Sequence, residues 1–157
     1  MPIVNCKIGN DVKIFHKDLV NIYGCEIGDG SQVGPFVEIQ SDVVIGKNCK
    51  ISSHSFLCSG VRIGNGVFVG HGVMTTNDRY PRATDGNGKI KSNGDWLLEP
   101  IVIGDNVSVG SNATILPGVI IESGCIIGAG AVVTKSVKSN SVVTGINRVR
   151  TLGSTGK

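Results

Sequence analysis

Aromatic side chains are scarce in this sequence: they make up 4% of its 157 residues, as four Phe, two Tyr and one Trp. A chain of this length is expected to fold as one domain, and with so few aromatic residues it must bury its apolar surface in another way. Glycine, in contrast, is abundant, with 23 residues. Stacked coils lined by small aliphatic side chains meet both conditions, because each coil buries its apolar edge against the next.

Charge is also sparse, since charged residues make up 17% of the chain and the formal net charge is +3. No basic helix or base-stacking aromatic pair is present, so nucleic-acid binding is not expected. No apolar run approaches the length of a membrane span, and the first residues lack the pattern of a signal peptide. We therefore expect a cytoplasmic protein without membrane insertion. The small positive charge is compatible with a phosphorylated small-molecule ligand.

An aliphatic residue recurs at every sixth position along most of the chain, from Ile27 to Val69 and again from Ile103 to Val133. The residue two positions earlier is nearly always small, and glycine often follows directly. A period of six fits neither a helix of 3.6 residues per turn nor plain strand alternation. It is typical of short strands joined by tight turns, three to a coil, with both positions pointing inward. The sequence therefore predicts an all-β fold, a parallel β-helix of hexapeptide repeats.

The five cysteines form no CxxC pair, so neither a zinc site nor a redox motif is indicated. Cys6, Cys25, Cys49 and Cys125 occupy the small inward position of the repeat, and we expect them to be buried structural thiols. Cys58 directly follows an aliphatic position, and we expect it to be more exposed.

The repeat also predicts which residues stack on one another. Eighteen residues form one coil, so residues eighteen apart are expected to lie about 4.8 Å apart in one column. Between Val69 and Ile103 the interval is thirty-four residues instead of six, which predicts an insertion of twenty-eight residues. With that insertion removed, His54 and His71 share one corner of successive coils, and the insertion leaves the coil at that corner, so Asn77 is expected close to His71. Lys135 is then expected in the column of His71, two coils further along and about 10 Å away.

The insertion predicts one long extruded loop at about 75–100, between repeats at about 3–74 and 101–138, with a C-terminal tail at 139–157. Loops of this length in compact folds are commonly functional. An extruded arm can reach a neighbouring subunit and form one wall of a cleft, whereas a tolerated surface insertion is the alternative. The presence of Trp96 in this polar, glycine-rich loop favours a function.

Two segments accompany the repeat and the loop: GHGVMTTNDRYPR at 70–82 and SNATILPGVIIESGCIIGAGAVVTKSV at 111–137. Together these features resemble the hexapeptide-repeat acyltransferases, and among them the sugar-nucleotide N-acetyltransferases. Members of that branch acetylate the 3-amino group of nucleotide-linked aminosugars used in bacterial surface polysaccharides. The resemblance implies a left-handed β-helix, a homotrimer with active sites at the subunit interfaces, and acetyl-CoA as donor. The C-terminal TGINRVRTLG at 144–153 departs from the GNPAK-like turn common in such chains, so the adenine end of the coenzyme A site stays open.

Acetyl transfer to an amine requires a close neutral amine, a hydrogen-bond donor for the developing oxyanion and a departing thiolate. His71 is the candidate general base, because imidazole titrates near neutrality; the alternative is a hydrogen bond to loop backbone or substrate. Asn77 cannot act as a base, but its amide oxygen can accept an N–H of the amine and orient the lone pair. The resemblance implies that Asn77 lies beside the reacting amine, whereas a loop cap is the alternative.

Five further polar residues are candidates for substrate binding. His54 is expected one coil below His71, while Glu38 and Gln40 flank an aliphatic position and point outward. Arg79 and Arg82 in the loop can grip a diphosphate or a carboxylate through paired hydrogen bonds. An ordinary solvated surface position is the alternative for each.

The coenzyme A candidates follow from the stacking of the coils. Ser111 and Ala129 are eighteen residues apart, so they are expected in one column. Small residues there are expected to leave backbone N–H and C=O groups open to the amide-rich pantetheine arm, with one N–H serving as oxyanion donor. These residues are Gly110, Ala113, Gly128 and Ala129. Lys135 and Arg148 are candidates for contacts to the phosphates.

Three other functions remain open. A sugar O-acetyltransferase of the same fold requires deprotonation of a hydroxyl, which makes the histidine essential. A metal-dependent hydratase of the carbonic-anhydrase kind requires three converging histidines, but His16 is expected too far from His54 and His71 along the axis, so no metal is expected. A non-catalytic β-helical scaffold would bind no coenzyme A thioester.

Overall fold

The computed structural model of the protein describes residues 2–153. Short strands alternate with turns along this range, and one 3-10 helix, Lys17–Leu19, interrupts them. In chain order the strands are β1 (Ile3–Val4), β2 (Lys7–Ile8), β3 (Lys13–Ile14), β4 (Asn21–Tyr23), β5 (Glu26–Ile27), β6 (Gln32–Val33), β7 (Glu38–Ile39), β8 (Val44–Ile45), β9 (Lys50–Ile51), β10 (Phe56–Leu57), β11 (Arg62–Ile63), β12 (Phe68–Val69), β13 (Met74–Thr75), β14 (Val102–Ile103), β15 (Ser108–Val109), β16 (Thr114–Ile115), β17 (Ile120–Ile121), β18 (Ile126–Ile127), β19 (Val132–Val133), β20 (Ser141–Thr144) and β21 (Arg148–Thr151).

The strands form three sheets, one on each side of a triangular coil. Sheet A has the order β1-β4-β7-β10-β13-β16-β19, sheet B has β17-β14-β11-β8-β5-β2, and sheet C has β21-β20-β18-β15-β12-β9-β6-β3. Each strand pairs in parallel with the strand one coil away, except that β21 pairs antiparallel with β20. The chain therefore winds from sheet A to B to C and back to A.

One apolar core runs along the inside of the coil. Because side chains alternate along a strand, the second residue of a two-residue strand points inward, and Ile39, Leu57 and Val109 are all fully buried. The small residue before each strand also points inward, as Cys49 and Ala113 do. The predicted fold class, an all-β left-handed parallel β-helix of hexapeptide repeats with one extruded loop, is confirmed.

The size of the insertion was predicted incorrectly, because Thr75 continues the repeat as a polar residue. Its side chain is buried at the inward position of β13, six residues after Val69. Thr75 Oγ1 accepts a hydrogen bond from the Cys58 amide at 2.9 Å and donates one to the Phe56 carbonyl at 3.0 Å. Met74 of β13 pairs with Thr114 of β16, forty residues later, and this interval exceeds one coil of eighteen residues by twenty-two, so the insertion is twenty-two residues long.

This register changes which residues share a column. The column of His71 contains Ser53 on one side and Ser111 and Ala129 on the other, at the corner between sheets C and A. Lys135 was predicted in this column but lies in that of Asn77, at the corner between sheets A and B. The members of the Asn77 column are Ser41, Ser59, Asn77, Pro117 and Lys135.

All five cysteines are free thiols. Cys25, Cys49 and Cys125 are buried, as predicted, while Cys6 in the first coil is half-buried. Cys58, which was predicted to be more exposed, is buried as well, because its Sγ lies 3.2 Å from Thr75 Oγ1 inside the coil. Burial, reinforced by the adjacent Cys6 thiol, raises the pKa of Cys25 to about 12.

The extruded loop, residues 76–100, is named the arm. Near its tip Thr84 and Ile90 form an antiparallel bridge, and the Asp85 carboxylate accepts hydrogen bonds from the amides of Asn87 and Lys89. The arm then returns along the coil, where a Cβ on Gly60 would lie 2.8 Å from Leu98 Cδ2. The arm thus packs directly on the corner from which it leaves.

The C-terminal part closes sheet C rather than forming another coil. Strand β20 continues the parallel ladder beside β18, and β21 returns antiparallel along β20 so that Arg148 lies opposite Thr144. No helix within residues 2–153 is long and apolar enough to cross a membrane.

Candidate active site

Asn77 lies where the arm leaves the coil. Its side-chain amide donates from Nδ2 to the Ser59 carbonyl at 3.0 Å, one coil below. Its own backbone carbonyl accepts a hydrogen bond from the Glu99 amide at 2.9 Å, which joins the two ends of the arm. The Asn77 side chain is therefore held by the coil and not by the arm alone.

A pocket of about 480 Å³ opens beside Asn77. With Nδ2 committed to Ser59, Asn77 Oδ1 is left as an acceptor, and it has no donor within residues 2–153. The pocket lies between the sheet A side of the coil and the arm. Its lining residues are Tyr23, Gln40, Ser41, Phe56, Cys58, Ser59, Thr75, Thr76, Asn77, Asp78, Pro81, Asn93 and Trp96.

Gln40, a candidate substrate-binding residue, is among the residues that line this pocket. Its Oε1 accepts a hydrogen bond from the Ser59 amide at 3.2 Å, and its Nε2 donates to Glu38 Oε1 at 3.0 Å. Glu38 is not part of the lining. Its carboxylate orients Gln40, so the two predicted residues act as a pair in which only Gln40 faces the pocket.

Arg79 faces the stem of the arm and not the pocket. Its guanidinium forms a bidentate ion pair with Glu99, in which Nε donates to Oε1 at 2.9 Å and Nη2 donates to Oε2 at 2.7 Å. Nη2 also donates to the Pro117 carbonyl at 2.9 Å. The hydrogen bond from Arg79 lowers the pKa of the Glu99 carboxyl. These contacts occupy Nε and Nη2, two of the three guanidinium nitrogens that were predicted to bind a substrate phosphate or carboxylate.

Arg82 lines a second depression on the arm, of about 500 Å³. Lys91 lines the same depression, while Asp78, Pro81 and Trp96 lie between it and the Asn77 pocket and belong to both. Arg82 therefore lies in a depression adjacent to the Asn77 pocket, separated from it by these three residues.

His71 lies at a different corner from Asn77. Its Nδ1 lies 2.8 Å from Ser53 Oγ, which fixes the ring and leaves Nε2 directed away from that contact. A smaller depression of about 220 Å³ lies beside it, lined in part by Phe15 and Lys50. His71 is thus exposed and held by a hydroxyl from the coil below.

His54 does not line the Asn77 pocket either. It stacks on Phe36, with ring centroids 4.8 Å apart, and both residues adopt left-handed backbone conformations with φ of 63° and 58°. This conformation is uncommon for bulky residues and marks a tight corner. Because His54 directly follows Ser53, it lies in the column next to that of His71.

Within one protomer, strand β13 separates His71 from Asn77. Six residues of extended chain span at most about 20 Å, and the two side chains lie at opposite ends of one strand of sheet A. The expectation that they share a corner is therefore wrong for a single protomer. Neighbouring corners of the coil carry the two candidate catalytic residues.

The five coil residues that were predicted to contact coenzyme A fall into two groups in the structure, and only Ser111 and Ala129 share one column with unbonded amides. Ser111 and Ala129 stack next to His71, and neither amide has an acceptor within residues 2–153. The amides of Gly110 and Gly128, in contrast, donate to the carbonyls of the following coil, at 2.7 and 2.8 Å. Ala113 is fully buried and its backbone groups are also used.

Gly110 has a structural role, since a Cβ there would lie 2.4 Å from the Ala129 amide nitrogen. The two predicted phosphate contacts are separated: Lys135 is exposed two coils beyond Asn77, whereas Arg148 lies on β21 opposite Thr144. Because Thr144 follows the ladder partner of Ile127, Arg148 lies near the corner of Ala129.

Sequence reasoning missed the coil residues beneath Asn77. Ser59 and Ser41 lie one and two coils below it, and their hydroxyls are 3.3 Å apart. The eighteen-residue period contains this signal, because both residues follow from Asn77 by steps of eighteen. Within residues 2–153, no group of three or more His, Cys, Asp or Glu side chains is arranged to hold a metal ion.

The sequence matches the bacterial transferase hexapeptide family, in six repeats, over residues 24–59 and 100–135. It is 32% identical over 127 residues to the bifunctional protein GlmU of Cellvibrio japonicus, a match that covers 68% of this chain and 27% of the relative. The corresponding protein of Acidithiobacillus ferrooxidans is 29% identical over 124 residues, covering 67% of this chain and 27% of the relative. The chain thus spans about a quarter of the length of these curated relatives.

Solved structures share the same coil. AntD, an N-acyltransferase from Bacillus cereus solved with dTDP and coenzyme A, has a TM-score of 0.69 at 16% identity, covering 94% of this chain and 82% of that one. PerB from Caulobacter crescentus, solved with CoA and GDP-perosamine, has a TM-score of 0.62 at 18% identity, covering 96% and 57%. The fold and the site define a hexapeptide-repeat β-helix with an extruded arm. The chain shares its repeats with the bacterial transferase hexapeptide family.

Proposed function

We propose that this protein transfers an acetyl group from acetyl-CoA to the amino group, at C3, of a nucleotide-linked aminosugar. The whole chain acts as one β-helical acyltransferase domain, and the product serves the synthesis of bacterial surface polysaccharides in the cytoplasm. The observation that carries the proposal is the placement of Asn77, which lines the pocket and whose Nδ2 is bound to Ser59, so that Oδ1 is left to accept a hydrogen bond. An amide oxygen fixed in this way accepts an N–H and directs the lone pair of a neutral amine.

The charge of the pocket favours an amine over a hydroxyl as acceptor. Asp78 lines the pocket next to Asn77, and its Oδ1 accepts the Tyr80 amide at 3.0 Å. A carboxylate attracts the ammonium form in which a sugar amine arrives, whereas it offers less to a neutral sugar hydroxyl. Gln40, oriented by Glu38, provides a further polar contact for the sugar.

The donor is proposed to lie along the corner of His71. The backbone amides of Ser111 and Ala129 in this column have no acceptor within residues 2–153. They can therefore donate hydrogen bonds to the amide carbonyls of a pantetheine arm. Arg148, near the same corner, is a candidate for the phosphates of coenzyme A. Lys135, in the Asn77 column, is then closer to the acceptor than to the donor.

A cyclic trimer would bring the two corners together. Each interface of a ring joins two different surfaces of neighbouring subunits, so the His71 corner of one subunit can face the Asn77 corner of the next. The sheet A surface between the corners supports such packing, since Phe56 is half-buried and Met74 is 42% exposed there. We therefore propose a homotrimer whose active site combines His71 and Asn77 from different subunits.

The transfer step balances without a further reactant. The bound ammonium first gives up one proton to solvent, and the neutral amine nitrogen then attacks the thioester carbonyl, so that an N–C bond forms and the C–S bond breaks to release coenzyme A as thiolate. The nitrogen loses one proton, which His71 Nε2 can accept and pass to the departing thiolate. A backbone amide of the donor column, that of Ser111 or Ala129, stabilises the oxyanion.

Thiol release from acetyl-CoA tests the proposal with matched acceptors. A panel of UDP- and dTDP-linked 3-amino sugars is compared with the same nucleotide sugars that carry a 3-hydroxyl. The proposal predicts acceptor-dependent thiol release with at least one amino sugar and none with its hydroxyl counterpart. Release with the hydroxyl sugars alone indicates O-acetyl transfer, and no release with any amino sugar overturns the proposal.

A further inference from the structure

Trp96 lies where three depressions of the surface meet. It lines the Asn77 pocket, the 500 Å³ depression that contains Arg82, and a third depression of about 260 Å³ beside Leu98. Its side chain is half-buried between them. Nearby turns hold this part of the arm: Asp95 Oδ2 accepts hydrogen bonds from the Ser92 amide and hydroxyl at 2.8 and 3.0 Å. Trp96 is therefore part of the lining of all three depressions.

The depression with Arg82 combines this aromatic wall with two positive charges. Arg82 and Lys91 both line it, and neither forms an ion pair within residues 2–153. Among the described residues that line it, only Asp78, at the boundary with the Asn77 pocket, is acidic. An aromatic face binds a nucleobase by stacking, and a guanidinium binds a phosphate through paired hydrogen bonds. This combination suits a nucleoside diphosphate.

Both proposed substrates contain a nucleoside diphosphate, and the connection between the two pockets distinguishes them. In a nucleotide sugar the diphosphate is attached directly to the sugar ring that carries the amine. In coenzyme A the long pantetheine arm separates the diphosphate from the thioester. The Arg82 depression and the Asn77 pocket share Asp78, Pro81 and Trp96, so a ligand that occupies both has its diphosphate close to Asn77.

We propose that Trp96, Arg82 and Lys91 form the binding site for the nucleoside diphosphate of the acceptor, with its base stacked on Trp96 and its phosphates between Arg82 and Lys91. The assignment of this ligand to the acceptor rests on the proposed function. The arm then determines which nucleotide the enzyme accepts, while the coil carries the residues that act on the amine.

The fluorescence of Trp96 tests this inference directly, because the chain has one tryptophan. UDP, dTDP and GDP are titrated into the full chain, and coenzyme A is titrated separately. At least one nucleoside diphosphate is expected to quench the emission with saturation, and coenzyme A is expected neither to quench it nor to compete. Absence of quenching by all three nucleotides, or competition by coenzyme A, overturns the inference.

Charge variants provide the matched comparison. Arg82→Ala and Lys91→Ala are each expected to weaken nucleotide binding about tenfold or more, because each removes a charge-assisted hydrogen bond. Lys89→Ala removes the same charge from the same hairpin, but Lys89 does not line the depression. It is expected to leave the affinity within about twofold, and an equal loss in all three variants contradicts the proposed site.

The outcome is separable from that of the proposed function, because nucleoside diphosphates contain no amine. Saturable quenching that depends on Arg82, together with failure of acetyl transfer, retains the nucleotide site and overturns the N-acetyltransferase proposal. Acetyl transfer with an unchanged KM for the nucleotide sugar in Trp96→Leu retains the enzyme and overturns the nucleotide site. Unchanged melting temperatures establish that each variant is folded.

Discussion

Asn77 donates a hydrogen bond from its side-chain Nδ2 to the backbone carbonyl of Ser59, one coil below, at 3.0 Å. This contact transfers the rigidity of the coil to the first residues of the arm. It also commits the Nδ2 end of the Asn77 amide to the coil, so that Oδ1 is the end left to accept a hydrogen bond. Catalysis by positioning depends on such orientation, because a catalytic group that is displaced from its productive geometry accelerates the reaction much less.

Replacement of His71 is expected to lower kcat less than the loss of an essential general base would. A sugar amine is partly neutral near physiological pH, so His71→Ala should lower kcat by less than about a hundredfold, below much of the range for general bases. Ser53→Ala, which removes the hydroxyl 2.8 Å from Nδ1, should have a smaller effect in the same direction. Steady-state kinetics with a 3-amino acceptor measures both, and a loss of about ten-thousandfold in His71→Ala would instead indicate a hydroxyl acceptor.

Thr75→Val is expected to destabilise the coil although it restores an aliphatic residue to the repeat. The substitution removes the acceptor of the buried Cys58 amide and the donor to the Phe56 carbonyl. Unpaired buried polar groups of this kind cost about 1–3 kcal/mol. Urea unfolding measures the loss. Thr114→Val, which faces outward on β16, is the control and should stay within about 0.5 kcal/mol of the original protein.

Acid is expected to loosen the arm through Glu99. Its carboxyl pKa is lowered by Arg79, so the ion pair stabilises the folded arm above the ordinary carboxyl value of about 4.3. This contribution is lost as the pH falls through the lower folded-state value. Trp96 emission on the arm should shift to longer wavelength as the pH falls below about 4. In Arg79→Ala the shift should already be present at neutral pH, and an identical acid transition in that variant would contradict this account.

Thiol labelling is expected to distinguish Cys6 from the other four cysteines. Burial raises the pKa values of Cys25, Cys49 and Cys58, and Cys125 is fully buried. Because the thiolate is the reactive form, these thiols should react only on unfolding. A chromogenic disulfide reagent should detect one fast thiol in the native protein and none in Cys6→Ser. Rapid reaction of a second thiol in the native protein would contradict the burial.

Much of the fold could be predicted because the inward positions are almost all aliphatic at a period of six. The prediction failed at Thr75, whose hydroxyl is buried and hydrogen-bonded to the backbone. Because Thr75 is polar, the aliphatic repeat was predicted to end at Val69, one six-residue step before it does. That single step moved Lys135 from the column of Asn77 to that of His71. One polar residue in the core is thus enough to shift the predicted register of all later coils.

The candidate site could be predicted only in part, because its geometry depends on the path of the arm. Asn77 and Gln40 were identified from the sequence, and both line the same pocket. The pairing of Arg79 with Glu99 joins residues twenty positions apart at the two ends of the arm, and no repeat specifies it. The same holds for Trp96, whose role depends on how the arm returns to the coil.

The measurement that tests the account most directly is the kcat/KM of Asn77→Ala with a nucleotide-linked 3-amino sugar and acetyl-CoA. A loss of about a hundredfold or more is expected, in the range seen when one positioned hydrogen-bonding group is removed, with the melting temperature nearly unchanged. Asn87→Ala, at the tip of the arm away from the pocket, is the control and should retain full activity. Full activity in Asn77→Ala would contradict the central claim that this amide orients the reacting amine.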